Sequence, residues 1–493
     1  MNRGVPSATL MRHRTNRRVK ITAQEGKVLG TAILGACAVI ASTGVVAQEA
    51  FARPGPAKYA VTVLVPLFLV LFVSSSHSIK SVMATAVFVA PVSAMVPLAG
   101  LTLTPGRVLV LFGAVWLYLS SPRSEGRRQW SSLGALLLIL LLVLSAVRAD
   151  RPREALWSVG AELVTFWVAA TATRNRAAGP ALCKALALAG SLQAVVCVWE
   201  FRTGHLVNLY TGTTRLTDEY FFKYLGSFRA SGTVEDPVTM GNMLAIAAVM
   251  ALALFLRAED PVARAFWGVS TGITCLGLAT TFSRMSWLAF AAGVLVVLML
   301  QPAARRFRAF LLLAGLGFAA TSLILVVAGA SVITRLSSVD DPTNPQVSTA
   351  GGDEARLEIW NRAWGVVVHD PFLGIGLGRL PGVLSQSVPG ANLGTHAHST
   401  YLNLMAEVGV PAAILLVGVF VLGLVRGGLV LRRVARDGGL PEPWAVGATA
   451  GCAVVLICWA TDYTLRQPTE GLWVAAVLAM AWSLGSLRAV PDE

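Results

Sequence analysis

Two arginines and a pair of histidines stand out in a chain with few charged residues. Arg229 lies in GSFRASGTVEDP, Arg284 in TTFSRMSW, and His396 and His398 in GTHAHSTYLNLMAEVG. Guanidinium groups bind phosphate oxygens through several donors in a fixed fork. An imidazole exchanges protons near neutral pH. These residue types suit chemistry on an anionic substrate if the fold brings them to one place.

Each residue also has a plainer reading. Arg284 sits at the end of an apolar run, where arginines snorkel to the interface. Apolar residues continue almost without a gap on both sides of it, however, and a charge near bundle depth needs a partner. Arg229 shares its segment with Arg202, Arg215, Asp218, Glu219, Lys223, Glu235 and Asp236, where solvated surface is the default.

For the histidines, a metal clip, a chemical base and a helix-start cap all compete. Their spacing is too short for an HExxH pattern and no third ligand set stands out. Asp340, Asp341, Asp353, Glu354 and His369 share the segment, so a mixed carboxylate–histidine site stays open. Ser399, Asn403 and Glu407 follow at four-residue spacing and share one helix face. Polar residues in a membrane helix face the bundle interior or a water-filled cavity. That stripe begins at His398, so His398 opens onto the same cavity. Gly409 and Pro411 mark a close approach or a kink.

The elements that must position these residues are membrane helices. Of 493 residues, 55% are hydrophobic and 13% charged, with a mean hydropathy of +0.66. A soluble domain carries roughly 25% charged residues. Runs of the length needed to cross a bilayer recur from end to end, so the fold class is an all-α integral membrane protein with about 12–14 transmembrane helices. Fourteen candidate spans fall near 28–47, 58–76, 80–101, 105–121, 130–147, 155–173, 179–201, 237–256, 265–282, 284–301, 308–330, 399–425, 443–462 and 469–487. Pro91, Pro97 and Pro105 interrupt the third and fourth. The formal charge of +14 is scattered through short loops, which argues against a nucleic-acid partner. All six cysteines fall inside apolar runs, so neither a disulfide framework nor a loop-borne zinc site is expected.

Loop charge predicts the orientation, because positive loops stay in the cytoplasm. A basic N-terminus at 1–27 precedes an apolar run too long for a cleaved leader, and reads as an uncleaved signal anchor. With that end inside, alternation puts most arginine-bearing loops in the cytoplasm; Arg148, Arg151 and Arg153 are the exception. The predicted division is a bundle of about seven spans at 28–201, a first external loop at 202–236, helices at 237–330, a long external loop at 331–398, and C-terminal helices and a short cytoplasmic tail at 399–493. Within the long loop, residues 353–368 read as an amphipathic helix with Leu357, Trp360, Trp364 and Val367 on one face. This topology gathers Arg229, Arg284 and the histidines on the outer side.

Three stretches then resemble the O-antigen ligase and polymerase superfamily. RASGTVEDPVTMGNML (229–244) is similar to its Arg-x-x-Gly segment followed by a proline and a span. TTFSRMSWLAF (280–290) is similar to its Thr-x-Ser-Arg segment. RLEIWNRAWGVVVHDPFLGIGLG…HSTYLNLMAEVG (356–409) resembles the ligase pattern, which His398, Ser399 and Gly409 fit and from which Ala412 departs. The resemblance implies a metal-independent, cofactor-free glycosyltransferase of the bacterial cytoplasmic membrane, with a fold akin to the C-type glycosyltransferases. It implies a polyprenyl-diphosphate-linked glycan as donor and a glycan, lipid or cell-wall acceptor, with inversion at the anomeric carbon. It assigns His398 as base, leaving His396 a loop residue, and Arg229 and Arg284 to the diphosphate. Arg356 and the Trp360/Trp364 helix would close over the donor, and Ser283, Ser399, Asn403, Glu407 and Gly409 would support the site.

A lipid-linked oligosaccharide flippase or other polysaccharide transporter is the rival from another class. It would spread its cationic residues along a central path at several depths. Here they gather at one face beside two long loops, which favours an enzyme. A non-catalytic scaffold has no use for the polar stripe.

Overall fold

In the computed structural model the described residues are 78–91, 96–98, 101–120, 133–175, 177–207, 228–234, 236–302, 306, 310, 353–387, 396–437, 439–463 and 468–484. All of them lie in one compact unit, 62–493. The signal anchor and the spans expected near 28–47, 58–76 and, residue 310 apart, 308–330 fall outside the described residues.

The protein is an all-α membrane protein. Its described helices are α1 (Ile79–Val89), α2 (Pro105–Ser120), α3 (Leu133–Val147), α4 (Pro152–Ala172), α5 (Ala178–Thr203), α6 (Pro237–Arg257) and α7 (Pro261–Thr280). They continue with α8 (Arg284–Met299), α9 (Asp353–His369), α10 (Leu380–Ser387), α11 (Thr400–Val408), α12 (Val410–Arg436), α13 (Pro443–Thr461) and α14 (Pro468–Ser483). Six of them, α4, α5, α6, α7, α12 and α13, are long and apolar enough to cross a membrane. The third expected span is instead the short α1, followed by an antiparallel hairpin of β1 (Val96–Leu98) and β2 (Leu101–Leu103). Pro91 and Pro97 account for the early stop, since proline removes a helix hydrogen bond.

Helix α6 is the axis of the bundle. Every residue from Thr239 to Leu254 is buried, and α5, α7, α8 and α13 pack around it. Glycines on three of these neighbours allow the approach. A Cβ would lie 2.0 Å from Ala247 Cβ at Gly190, 2.6 Å from Val249 at Gly293, and 2.8 Å from the Met250 sulfur at Gly447. Small residues at helix contacts are what hold membrane bundles, because lipid competes equally for apolar surface. Asp236 caps α6, accepting from the Val238 and Thr239 amides at 2.8 and 3.2 Å.

The expected twelfth span is two elements. Gly409, at φ +88°, separates the nine-residue α11 from the 27-residue α12. The Ser399–Asn403–Glu407 stripe therefore belongs to a short helix ahead of the span, not to the span itself. The break is forced by close contact: Val410 N donates to Pro371 O at 2.8 Å, and a Cβ on Gly409 would lie 2.2 Å from Phe372 O. The 370–380 segment is also stitched to the α3–α4 turn. Arg148 pairs with Asp370 at 3.8 Å and Arg379 with Asp150 at 2.9 Å, while Arg151 pairs locally with Glu154. Arg148 and Arg151, two of the arginines that broke the charge rule, thus have acidic partners.

Gly409→Ala should lower stability by about 2–3 kcal/mol, from backbone strain and the clash with Phe372. Gly418→Ala, at a position on α12 with open space around it, should be neutral or slightly stabilising. Thermal unfolding of the detergent-solubilised protein compares the two; equal shifts would show that the break at Gly409 is not a fixed feature.

Candidate active site

The polar residues singled out in the sequence collect at one end of the bundle. This end is formed by the segment before α6, the α7–α8 turn, the loop before α11, and the α13–α14 connection. The segment before α6 is anchored first. Glu200, at the end of α5, accepts the amides of Val207, Ser231 and Gly232 at 2.7–2.9 Å. Gln193 accepts from Thr233. Ala230 N then bonds Thr280 O at 3.0 Å, and Arg229 Nε donates to Thr281 O at 2.9 Å. Arg229 is therefore fixed against the turn that carries Arg284.

That turn is tight and strained. Phe282 has φ +50°, an unfavourable conformation for a bulky residue, and is buried against Phe201 and Trp287. Ser283 precedes α8 but does not cap it with its side chain; its hydroxyl bonds the Ser286 hydroxyl at 2.7 Å. Arg284 begins α8, half-buried, with no hydrogen-bond or ion-pair partner among the described residues. An uncapped helix start beside two guanidinium groups favours an anion, through the N–H groups and the helix dipole.

From Ser283 a chain of contacts crosses to the histidines. Ser286 donates to Asn242 Oδ1 at 2.7 Å, and Asn242 Nδ2 donates to Asp462 Oδ2 at 3.1 Å. Asp462 Oδ1 stands 3.9 Å from His396 Nε2. The His396 and His398 rings lie with centroids 4.4 Å apart, tilted by 40°. His398 is the other described non-glycine residue at positive φ, +47°. Such outliers persist where the surroundings over-determine them, and they cluster at functional sites.

The supporting residues hold this loop rather than lining an open stripe. Ser399 caps α11, accepting from Leu402 N. Asn403 Oδ1 accepts from Ala397 N at 2.9 Å, and Trp360 Nε1 donates to Ala397 O at 2.8 Å. Both backbone groups of the residue between the histidines are thereby pinned. Glu407 is buried, accepting from Leu380 N and from the Tyr463 hydroxyl, each at 3.2 Å. Helix α9 presents two apolar faces, which corrects the face expected from sequence. Ile359, Ala363 and Val367 pack inward on Leu380, Leu384, Ala397 and Ala406, whereas Leu357, Trp360, Trp364 and Val368 stay exposed. Arg356, half-buried in the same helix, makes no hydrogen bond or ion pair with a described residue, and no contact joins it to Arg229 or Arg284.

Sequence reasoning passed over Asn242, Ser286, Asp462 and Tyr463, and set His396 aside as loop. Asp462 in the short WATDYT stretch carried a signal, since a carboxylate at the end of an apolar run calls for a partner.

Residues 269–417 match the family model described as O-antigen ligase. That segment is similar to O-antigen ligases. The likeness to the O-antigen ligase and polymerase superfamily is thus borne out, and the match takes in two of the three stretches that carried it, 280–290 and 356–409. No curated protein matches the chain. The O-antigen ligase match takes in Arg284, Arg356 and His398; Arg229, Asn242 and Asp462 lie outside it in sequence and reach the same network through the fold.

Glu407 lies on α11, ahead of the α12 span, and burial pushes its carboxyl up to about 7, against the hydrogen bonds from Gly378, Leu380 and Tyr463 and the nearby His396. The folded protein therefore holds a proton there that the unfolded chain has lost between its ordinary value of 4.5 and about 7. Stability should fall as pH rises through that window. Glu407→Gln should flatten that part of the curve of Tm against pH, and an unchanged slope would remove Glu407 as its source.

Proposed function

We propose that this O-antigen ligase-family membrane protein transfers or polymerises a polyprenyl-diphosphate-linked glycan on the external face of the cytoplasmic membrane. The observation that carries the reading is the continuous network from the Arg229/Arg284 turn through Ser283, Ser286, Asn242 and Asp462 to the histidine pair. An enzyme for this reaction needs cations for a diphosphate and a base for a hydroxyl, held at fixed separation. The network supplies that fixed separation.

In this mechanism Arg229 and Arg284, with the start of α8, bind the donor diphosphate. They also balance the charge that grows on the leaving polyprenyl diphosphate. His398 takes the proton of the acceptor hydroxyl as its oxygen attacks the anomeric carbon from the side opposite the diphosphate, so the product bond is inverted. An imidazole suits a base working near neutrality. The exposed tryptophan face of α9, tied to the histidine loop by Trp360, provides apolar surface for the lipid end of the donor, with Arg356 at its start. Partners are then the lipid-linked donor, a glycan, lipid or cell-wall acceptor, and the surrounding membrane lipid. Ligation, polymerisation and transfer to protein share these steps and differ in the acceptor.

The test gives purified protein a polyprenyl-diphosphate glycan and candidate acceptors in the presence of EDTA. Transfer should proceed with the chelator present. Arg284→Ala should lower turnover by about 100-fold or more with membrane insertion intact, the scale expected on removing a group that stabilises developing charge. Unchanged turnover would return Arg284 to the role of an interface anchor, and transfer that stops with EDTA would overturn the metal-free mechanism.

A further inference from the structure

We propose that His396 and Asp462 form the second half of a proton relay, in which His398 takes the proton from the acceptor hydroxyl and hands it to His396. Asp462 then balances the positive charge that arrives on the His396 ring. The inference rests on the transfer reading above.

The two rings are in contact, too close for an in-line N–H···N bond, and the hand-over passes through one bridging water. The two imidazoles lie with centroids 4.4 Å apart. His396 Nε2 is 3.9 Å from Asp462 Oδ1, with side-chain exposures of 17% and 15%, so water screens the pair only weakly. Asp462 cannot swing away. Its Oδ1 accepts from Tyr463 N at 2.8 Å, its Oδ2 from Asn242 at 3.1 Å, and its main-chain oxygen from the Thr400 hydroxyl at 2.5 Å. A carboxylate held 3.9 Å from an imidazole favours the imidazolium by charge without taking the proton itself.

The groups around the pair fall into two sets. His398, Tyr463 and Glu407 face His396. Asp236 and Glu470 lie beside Asp462, which Asn242 bonds. Carboxyl groups therefore lie behind His396, while the arginines lie at the other end of the network. A proton leaving the acceptor moves toward the acidic side, away from the guanidinium groups that hold the diphosphate.

The step balances. The acceptor O–H bond breaks while its oxygen forms the new bond to the anomeric carbon. The bond from that carbon to the diphosphate oxygen breaks, and its electron pair leaves with the diphosphate. The proton goes to His398, then to His396, and reaches water once the products depart. Asp462 touches neither substrate and is a positioning residue.

The experiment measures transfer from the polyprenyl-diphosphate glycan isolated from the source cells to acceptors in the same membranes, across pH. The proteins are wild type, His398→Ala, His396→Asn, Asp462→Asn, Asp462→Glu and the His396→Asn/Asp462→Asn pair. His396→Asn and Asp462→Asn should each lower kcat about 10- to 100-fold with donor KM nearly unchanged, and the double variant should be no slower than the worse single one. Asp462→Glu should recover most of the rate, and Asp462→Asn should move the acidic limb of the rate profile. Wild-type kcat and profile in both single variants, or losses that multiply in the double variant, would overturn the relay. Wild-type turnover in His398→Ala would instead overturn the transfer reading. If Asp462→Asn does not elute as folded protein, His396→Asn and Asp462→Glu decide by the same criteria.

Discussion

The packing of α6 is the constraint on which the site depends. In a bilayer, apolar side chains gain little by leaving lipid for protein, so close approach and buried polar contacts must hold the helices together. Gly190, Gly293 and Gly447 bring three neighbours so near that a methyl group at any of them would collide with α6. A helix held this tightly cannot slide or rotate to relieve a polar residue. Asn242, buried one turn into α6, therefore needs partners at fixed positions. It finds them in Ser286 of α8 and in Asp462 beyond α13. The same packing that holds the bundle fixes how far the arginine turn stands from the histidine loop.

Strain is stored at both ends of that network and paid for locally. Phe282 and His398 hold left-handed backbone at a cost of about 1–3 kcal/mol each. Phe282 is kept there by aromatic packing, and Ala230 and Arg229 bond the carbonyls of Thr280 and Thr281 just before it. His398 is kept there because Ala397 is held through both its N–H and its carbonyl. Each loop is thus committed to one shape before substrate arrives, which lowers the ordering cost of reaching a reactive geometry.

Much of this was legible in the sequence where the signal is local. The apolar runs, the amphipathic α9 and the arginine and histidine segments all follow from spacing within a few residues. The bond between Asn242 and Asp462 joins positions 220 residues apart, and neither residue carries a local pattern that announces the other. The face of α9 was misjudged for a different reason. Hydrophobicity alone does not distinguish a face packed on protein from one turned outward, so Val367 was grouped with Trp364 although they point different ways. The polar stripe was read as lining a cavity because four-residue spacing shows a shared face but not what covers it. Here the 370–380 segment and Tyr463 cover it.

The departure at Ala412 falls at a packing position. The ligase-like pattern expects glycine, threonine or tyrosine there, and alanine departs from it. Ala412 is fully buried in the first turn of α12, in an apolar cluster with Leu404, Val408 and Ala413, and Leu138 and Leu377 pack against that cluster. It belongs to the seam where α11 and α12 meet α3. No bond of the arginine–histidine network passes through it. A change at this position adjusts how the helix break is packed, and the break itself depends on Gly409 and the Phe372 carbonyl. The departure therefore bears on helix packing rather than on the proton or phosphate chemistry, and it gives no reason to favour polymerisation over ligation.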